Sequence, residues 1–264
     1  MKQGIRLPVA EGAWAHVPAP LPPVWRPDPI LLREAEAALS EWNARKSRAD
    51  DGERLERVAE EVATSCRIEG IEVSPEEVLR RLSHPGEEPV RNLAEAHLLL
   101  PSLAPQNPSR LSQELHALLF RGAETPFPRG RYRTIQVWIG GKTLREARYI
   151  PPPPLVVEGT MAALDEFVAK KSLPPLLEAL LLHYQFVAIH PFPDGNGRVG
   201  RLLVQAHLLR RKALGERSFP LPLSPHLSRH RQAYYEALQA VSEKGDWEAW
   251  GRLFLEGVIA QAQD

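Results

Sequence analysis

The sequence predicts an all-α fold interrupted by one short β-hairpin. Three observations carry that expectation. Apolar residues recur at helical spacing through nearly every segment from Ile30 onward. Cap residues, prolines and glycines bound those segments where helices start and stop. One stretch, 130–150, breaks the rhythm, and no internal repeat or low-complexity block points to another architecture.

Taken in order, residues 1–29 are proline-rich ("VPAPLPPVWRPDP") and read as an extended arm. Helical spacing runs from Ile30 to about Asn43. "DDGERLERVAEEVATSCRIEG" opens with acidic residues and stops at Gly70, a natural helix terminator. In "SPEEVLRRL", Ser74 is the expected N-cap, Pro75 the first helical residue and Glu77 the capping-box carboxylate. Further helices are expected at 89–100 and 109–121. "RYRTIQVWIGGKTLREARYI" sets Val137, Trp138 and Ile139 before Gly140–Gly141 and reads as the hairpin. The proline run 151–154 follows as a rigid spacer. Helical periodicity returns at 155–170, 174–189, 197–213, 229–243 and 246–262.

The chain has 264 residues, enough for one large domain or two small ones with a substantial core. Its 43% hydrophobic and 25% charged content is that of an ordinary globular protein. A formal net charge of zero argues against a general nucleic-acid binder or a polybasic membrane surface. Cys66 is the single cysteine, so no intramolecular disulfide can form and a reducing compartment is expected. The N-terminus lacks the apolar run of a signal peptide. The most apolar stretch, 173–192, is interrupted by Glu178, His183, Gln185 and His190, too polar to span a membrane. A soluble, cytoplasmic protein is the expectation.

One stretch concentrates chemistry. "HPFPDGNGRVGR", residues 190–201, follows the almost unbroken apolar run "LPPLLEALLLHYQFVAI". The run reads as a central buried helix, so the polar residues after it sit on a rigid floor. Pro191 and Pro193 end that helix and stiffen the loop. Gly195 and Gly197 allow close approach of a ligand to the backbone. A new helix starts at once, and its free N–H groups and positive dipole end favour an anion. Arg198 and Arg201, three apart on its first turns, share a face and fit a polyphosphate. Asp194 offers hard oxygen ligands, and one carboxylate plus substrate phosphates is a usual way to hold Mg²⁺. Asn196 can donate its amide to a phosphoryl oxygen. His190 can accept a proton from an incoming hydroxyl. A base, a metal ligand and an anion cradle are the components of phosphoryl-type transfer. Gly141-Lys142-Thr143 is like a P-loop tail, but Gln136 stands where that pattern needs glycine.

These residues resemble the signature of Fic-domain proteins, His-x-Phe-x-Asp/Glu-Gly-Asn-Gly/Lys-Arg-x-x-Arg. His190, Phe192, Asp194, Gly195, Asn196, Gly197, Arg198 and Arg201 fill its fixed positions. The resemblance extends to "GRYRTIQVWIG", "YIPPPP", "RQAYYEALQAVSEKGDWEAW" and "TSCRIEGIEVSPEE", spanning roughly residue 30 to the end. It implies a Fic-type helical bundle over 106–264, with a hairpin flap over the active site, behind an N-terminal helical extension over 1–105. The activity implied is protein AMPylation: AMP passes from ATP to a Ser, Thr or Tyr hydroxyl of a target protein. By that resemblance His190 is the general base and Asp194 holds Mg²⁺. Asn196 and the Gly195–Gly197 backbone form the anion hole, and Arg198 and Arg201 bind the nucleotide's phosphates. The flap residues Val137, Trp138, Ile139 and Gly140 lie at the nucleotide site and align the target chain. Tyr234 and Tyr235 fall near the adenine pocket.

A second motif lies upstream. Glu69 falls in the last turn of its helix, where a carboxylate meets the wrong dipole end at a cost of roughly 0.3–1 kcal/mol unless a cation lies opposite. Ser65 lies four residues earlier on the same face. Ser65, Glu69 and Gly70 resemble the family's inhibitory motif, whose glutamate pairs with the second motif arginine, here Arg201. Its place before the core resembles the class with an intramolecular, N-terminal inhibitory helix. Relatives of that class often carry a winged-helix domain after the core, and the residues through Asp264 show none.

His226 and His230 are spaced for a metal site if helical, but no carboxylate or cysteine accompanies them. His183 and His207 read as core histidines. The expected partners are ATP and a target protein, the chain itself included, and a homodimer is allowed. Alternatives with the same fold are AMP removal, with Glu69 positioning water, and transfer of phosphate or another nucleotide. A different class is a nucleotide-gated binding module without catalysis, against which an intact His190 argues.

Overall fold

The computed structural model describes residues 4–46, 48–84, 88–216 and 219–263. Among them a two-stranded antiparallel sheet, β1 (Ile5–Pro8) and β2 (Trp14–Val17), precedes eleven α-helices. The first five helices are α1 (Pro29–Lys46), α2 (Asp51–Ile68), α3 (Pro75–Leu82), α4 (Pro89–Leu103) and α5 (Pro108–Leu119). The next three are α6 (Pro154–Lys170), α7 (Pro175–Ile189) and α8 (Asn196–Arg210). The chain closes with α9 (Ser224–Arg229), α10 (Arg231–Lys244) and α11 (Glu248–Gln263).

Local sequence explains most helix starts. Asp50, Ser74 and Asn107 cap α2, α3 and α5 by accepting the Glu53, Glu77 and Arg110 N–H groups at 2.8, 3.2 and 2.9 Å. Prolines open α3 to α7, where a missing N–H costs nothing. At the end of α2, Glu69 is the cap residue, Gly70 follows, and the Ile71 N–H returns to Cys66 O at 3.0 Å.

The core is built around α7, whose residues are all buried except Pro175 and Val187. It packs along α8, with α6, α10 and α11 on its other sides, while α4 and α5 cover α8. Helix α2 lies against α4, α8 and α9. Each fully buried Leu, Ile or Phe here stabilises the fold by roughly 1.5–3 kcal/mol. Glu178 and His183 of α7 each find polar partners. Glu178 accepts from the Leu173 N–H at 3.1 Å and lies against Arg211 and, at 3.1 Å, His207 Nε2. His183 Nε2 meets the Tyr234 hydroxyl at 2.8 Å.

The structure departs from expectation in three places. The segment read as an irregular arm contains β1 and β2, with Ile5 opposite Val17 and Pro8 opposite Trp14. The strands are four residues each, too short for their alternation to stand out in a proline-rich stretch. Conversely, residues 130–150 do not form a laddered hairpin; Ile139 and Tyr149 make a single antiparallel bridge. The reason lies in the acceptors: the Ile135, Pro151 and Pro152 carbonyls take hydrogen bonds from the Arg133 and Gln136 side chains instead of a facing strand. Helix α9 is the third departure, short and opened by Pro225, and separated from α10 at His230. His226 and His230, the spaced pair, thus sit on either side of a break, with ring centroids 4.4 Å apart.

Candidate active site

Helix α7 ends at Ile189, and His190 turns the chain sharply with a left-handed backbone, φ 51° and ψ 59°. The loop that follows is nailed down by its one aromatic residue. Phe192 is fully buried and stacks on His116 of α5 at 4.1 Å. Asn196 then brackets Phe192 completely: its Oδ1 accepts the Phe192 N–H and its Nδ2 donates to Phe192 O, both at 2.9 Å. Asn196 thereby commits its Oδ1 and one of its two Nδ2 hydrogens to the loop. The residue is 1% exposed. Gly195 occupies the position before α8 with φ 79°, and a Cβ there would lie 2.9 Å from the Phe120 ring. Both the backbone angle and the space demand glycine.

His190 is set up as a proton acceptor. Its Nδ1 lies 3.2 Å from Val187 O. A carbonyl can only accept, so Nδ1 carries the hydrogen and Nε2 keeps a free lone pair. Burial, reinforced by the Arg133 charge, pushes its pKa down to about 4, against the opposing pull of the Val187 contact, Glu69 and Asp194. The ring is therefore neutral at pH 7.

Arg198 and Arg201 stand on the first turns of α8, 5% and 4% exposed. Arg201 donates from Nε to Ser65 Oγ at 2.9 Å, and from Nη2 to Ser65 O at 2.9 Å and Glu69 Oε1 at 2.8 Å. Ser65 and Glu69 of the upstream motif thus converge on one guanidinium. Burial raises the Glu69 pKa, but the charge and hydrogen bond of Arg201, with Arg198 and His190 behind, hold it below the ordinary carboxylate range. Arg198 lies over the Phe120 ring at 5.4 Å and 3.5 Å from Asp194 Oδ2. Arg198 Nε and Arg201 Nη1 are buried without a hydrogen-bond partner. Two unfilled donors beside a helix N-terminus fit a multiply charged anion.

Glu69 also closes onto the backbone of the motif. A Cβ on Gly197 would lie 2.2 Å from Glu69 Oε1 and 3.2 Å from Arg201 Nη1. A side chain at position 197 would have to displace the carboxylate that lies over it.

An apolar groove of about 320 Å³ opens beside these groups, with Glu69, His190, Gly197, Ile139 and Tyr235 among its lining. Of the four flap residues Ile139 and Gly140 line it, while Val137 and Trp138 are not among its walls. Tyr234 touches the groove but is 2% exposed, its hydroxyl held by His183. Tyr235 is 39% exposed and donates to Ile68 O at 3.1 Å. Arg231, which sequence reasoning did not single out, donates to the same carbonyl at 2.8 Å and lines the same groove. Its partner is a main-chain oxygen, so no residue pattern announces it.

Asp194 is largely exposed; its Oδ1 accepts the Gly195 N–H and its Oδ2 faces outward beside Arg198. Among the described residues no three His, Cys, Asp or Glu side chains converge, the His226–His230 region included. The donor set fits a hard cation held by one carboxylate, with its remaining oxygens from substrate phosphates and water.

Comparison with known proteins bears on these observations. Residues 108–208, which hold the whole 190–201 motif and the flap, match the Fic/DOC family. Residues 108–208 thus form a Fic/DOC-like domain. The chain is 37% identical over 128 residues to "Protein adenylyltransferase Fic" of Nematostella vectensis, covering 47% of this chain and 26% of that protein. A probable protein adenylyltransferase of Aquifex aeolicus is 29% identical over 191 residues, 70% of this chain and 55% of its own length. The chain thus spans between a quarter and about half of these curated relatives. Among solved structures, a Fic family protein from Desulfovibrio desulfuricans superposes with a TM-score of 0.76 at 23% identity, covering 92% of this chain and 76% of that one. Fic-1 from C. elegans gives 0.67, again at 23% identity, over 89% and 71%. The mainly helical Fic fold is shared along nearly the whole chain.

Proposed function

We propose that this chain is a protein adenylyltransferase held in check by Glu69. The observation that carries the reading is the convergence, at one groove, of a neutral His190 with a free Nε2, the glycine-lined start of α8, and two buried arginines with unfilled donors. The names of the curated relatives support the same activity.

In this reading ATP lies in the groove with its phosphates at the N-terminus of α8, bound by Arg198 and Arg201. The target hydroxyl oxygen forms a bond to the α-phosphorus, the bond to the bridging oxygen of the β-phosphate breaks, and pyrophosphate leaves. His190 Nε2 takes the hydroxyl proton. The backbone N–H groups of Gly195 to Gly197 face the charge that grows on the transferred phosphate. Mg²⁺, on Asp194 and the phosphates, would supply charge neutralisation. Glu69 opposes all this by occupying the Arg201 fork and the space above Gly197. Arg201 cannot hold Glu69 and a phosphate with the same Nη2 donor.

AMP removal is a second reading, favoured by one feature: Glu69 lies in the same groove as His190 and could hold a water there. Intact-mass analysis after incubation with Mg-ATP and a protein substrate mixture distinguishes the outcomes. An adenylyl-sized gain on protein supports AMP transfer, a phosphate-sized gain assigns kinase-like chemistry, and loss of AMP from a pre-adenylylated protein supports removal.

A further inference from the structure

Arg133 is an unusual buried charge. It is 3% exposed, and among the described residues no carboxylate pairs with it. An isolated guanidinium in that position is costly unless its donors are met otherwise. Here four of its five N–H donors are met, all by main-chain carbonyls. Nε donates to His190 O at 2.8 Å; Nη1 donates to Ile135 O at 3.1 Å; Nη2 donates to Pro152 O at 2.5 Å and Ile189 O at 3.4 Å. The Arg133 N–H adds a bond to Pro191 O at 2.9 Å.

These acceptors belong to two groups. Ile189 and His190 are at the C-terminus of α7, where unpaired carbonyls and the negative dipole end favour a cation. Ile135 and Pro152 are the two ends of the flap segment. Within that segment Gln136 donates to Pro151 O at 3.0 Å, Ile139 bridges Tyr149, and the Tyr149 hydroxyl returns to Ala188 O at 2.7 Å. Without a strand ladder, the flap has few backbone bonds of its own. One planar fork therefore refers both flap ends and the main chain of the base to a single point. An ammonium on a flexible stem cannot reproduce that geometry.

We propose that Arg133 is a positioning residue that holds the flap in register with His190, so that the hydroxyl a target presents along the flap meets the base. This deepens the adenylyltransferase reading and rests on it for the catalytic consequence, but the positional claim stands on its own. Arg133 is not among the residues that line the groove; it acts through His190 and the flap.

The test uses Arg133→Lys and Arg133→Gln, each in the Glu69→Gly chain, with hydrogen exchange by mass spectrometry and transfer kinetics. The expected result in Arg133→Lys is exchange about tenfold faster or more across 136–151, with protection in the middle of α7 and α8 unchanged. Transfer kcat should fall about 100-fold while ATP affinity stays within about twofold. In Arg133→Gln the His190 titration should also move upward, since a neighbouring positive charge is gone, whereas Arg133→Lys keeps it low. Unchanged flap exchange in Arg133→Lys overturns the proposal. So does a loss of protection spread evenly through the core, which would make Arg133 a residue of general folding. Weakened ATP binding with unaltered kcat would assign it to the nucleotide instead. If the Glu69→Gly chain transfers nothing, the adenylyltransferase reading fails, and flap exchange still decides the role of Arg133.

Discussion

His190 and Gly197 carry the sharpest consequences at the scale of single residues. Burial and the Arg133 charge keep His190 neutral, with a pKa of about 4. A neutral base is lost only as pH falls through that value, so transfer should hold steady from pH 8 down to about 5 rather than decline near the ordinary histidine value of roughly 6.5. An NMR titration of the ATP-free chain should place the His190 inflection near 4; an inflection at 6 or above would refute this electrostatic account. Gly197 faces the Glu69 carboxylate so closely that an added methyl must displace it. The displaced carboxylate would leave Arg201 buried without its counter-ion, a loss of about 1–3 kcal/mol. Gly197→Ala should therefore destabilise the parent chain in urea unfolding and be close to neutral once Glu69→Gly has emptied the space. Equal costs in both backgrounds would show that Glu69 does not rest on Gly197 in solution.

Among the elements, α2 matters most because it carries both Ser65 and Glu69. Two turns before Glu69, the buried Glu61 accepts the Ser224 N–H at 2.8 Å and meets the Ser224 hydroxyl, fastening α2 to α9. Burial, against the opposing effect of those bonds, pushes the Glu61 pKa up to about 7. A carboxyl whose folded pKa is raised stabilises the fold fully below its unfolded pKa, and that contribution is lost as pH rises through the folded one. Thermal stability should accordingly fall between about pH 4.5 and 7 through this group, and Glu61→Gln should remove that part of the slope. An identical pH dependence of Tm in both chains would contradict it. The helices themselves were legible in the sequence because their signals are local: Ser74 caps α3 where polarity and spacing say it should. The β1–β2 pair was not, because four-residue strands carry little alternation and Pro8 interrupts it. The flap was expected as a hairpin, yet its carbonyls pair with side chains, a choice that depends on Arg133 lying beneath them.

At the scale of the whole molecule, segments far apart in the chain share one groove: Glu69 from the end of α2, Ile139 from the flap, His190 and Gly197 from the motif, Tyr235 from α10. The motif could be found by reading twelve consecutive residues. Its pairing with Glu69 could be reached only through resemblance, since the two are 132 residues apart, and the fold supplies the contact directly. The two bonds that tie Asn196 to Phe192 could not be read from residue type, because they depend on the backbone path. Arg133 and Arg231 were invisible for a related reason: main-chain acceptors leave no mark on the sequence. The central claim is that one ion pair, between buried Arg201 and partly exposed Glu69, separates an idle adenylyltransferase from an active one. Its most direct test is incorporation of label from α-phosphate-labelled Mg-ATP into protein by the parent chain, Glu69→Gly, and Glu69→Gly with His190→Ala. The account predicts strong labelling by Glu69→Gly alone. Equal labelling by parent and Glu69→Gly, or labelling that survives His190→Ala, would contradict it.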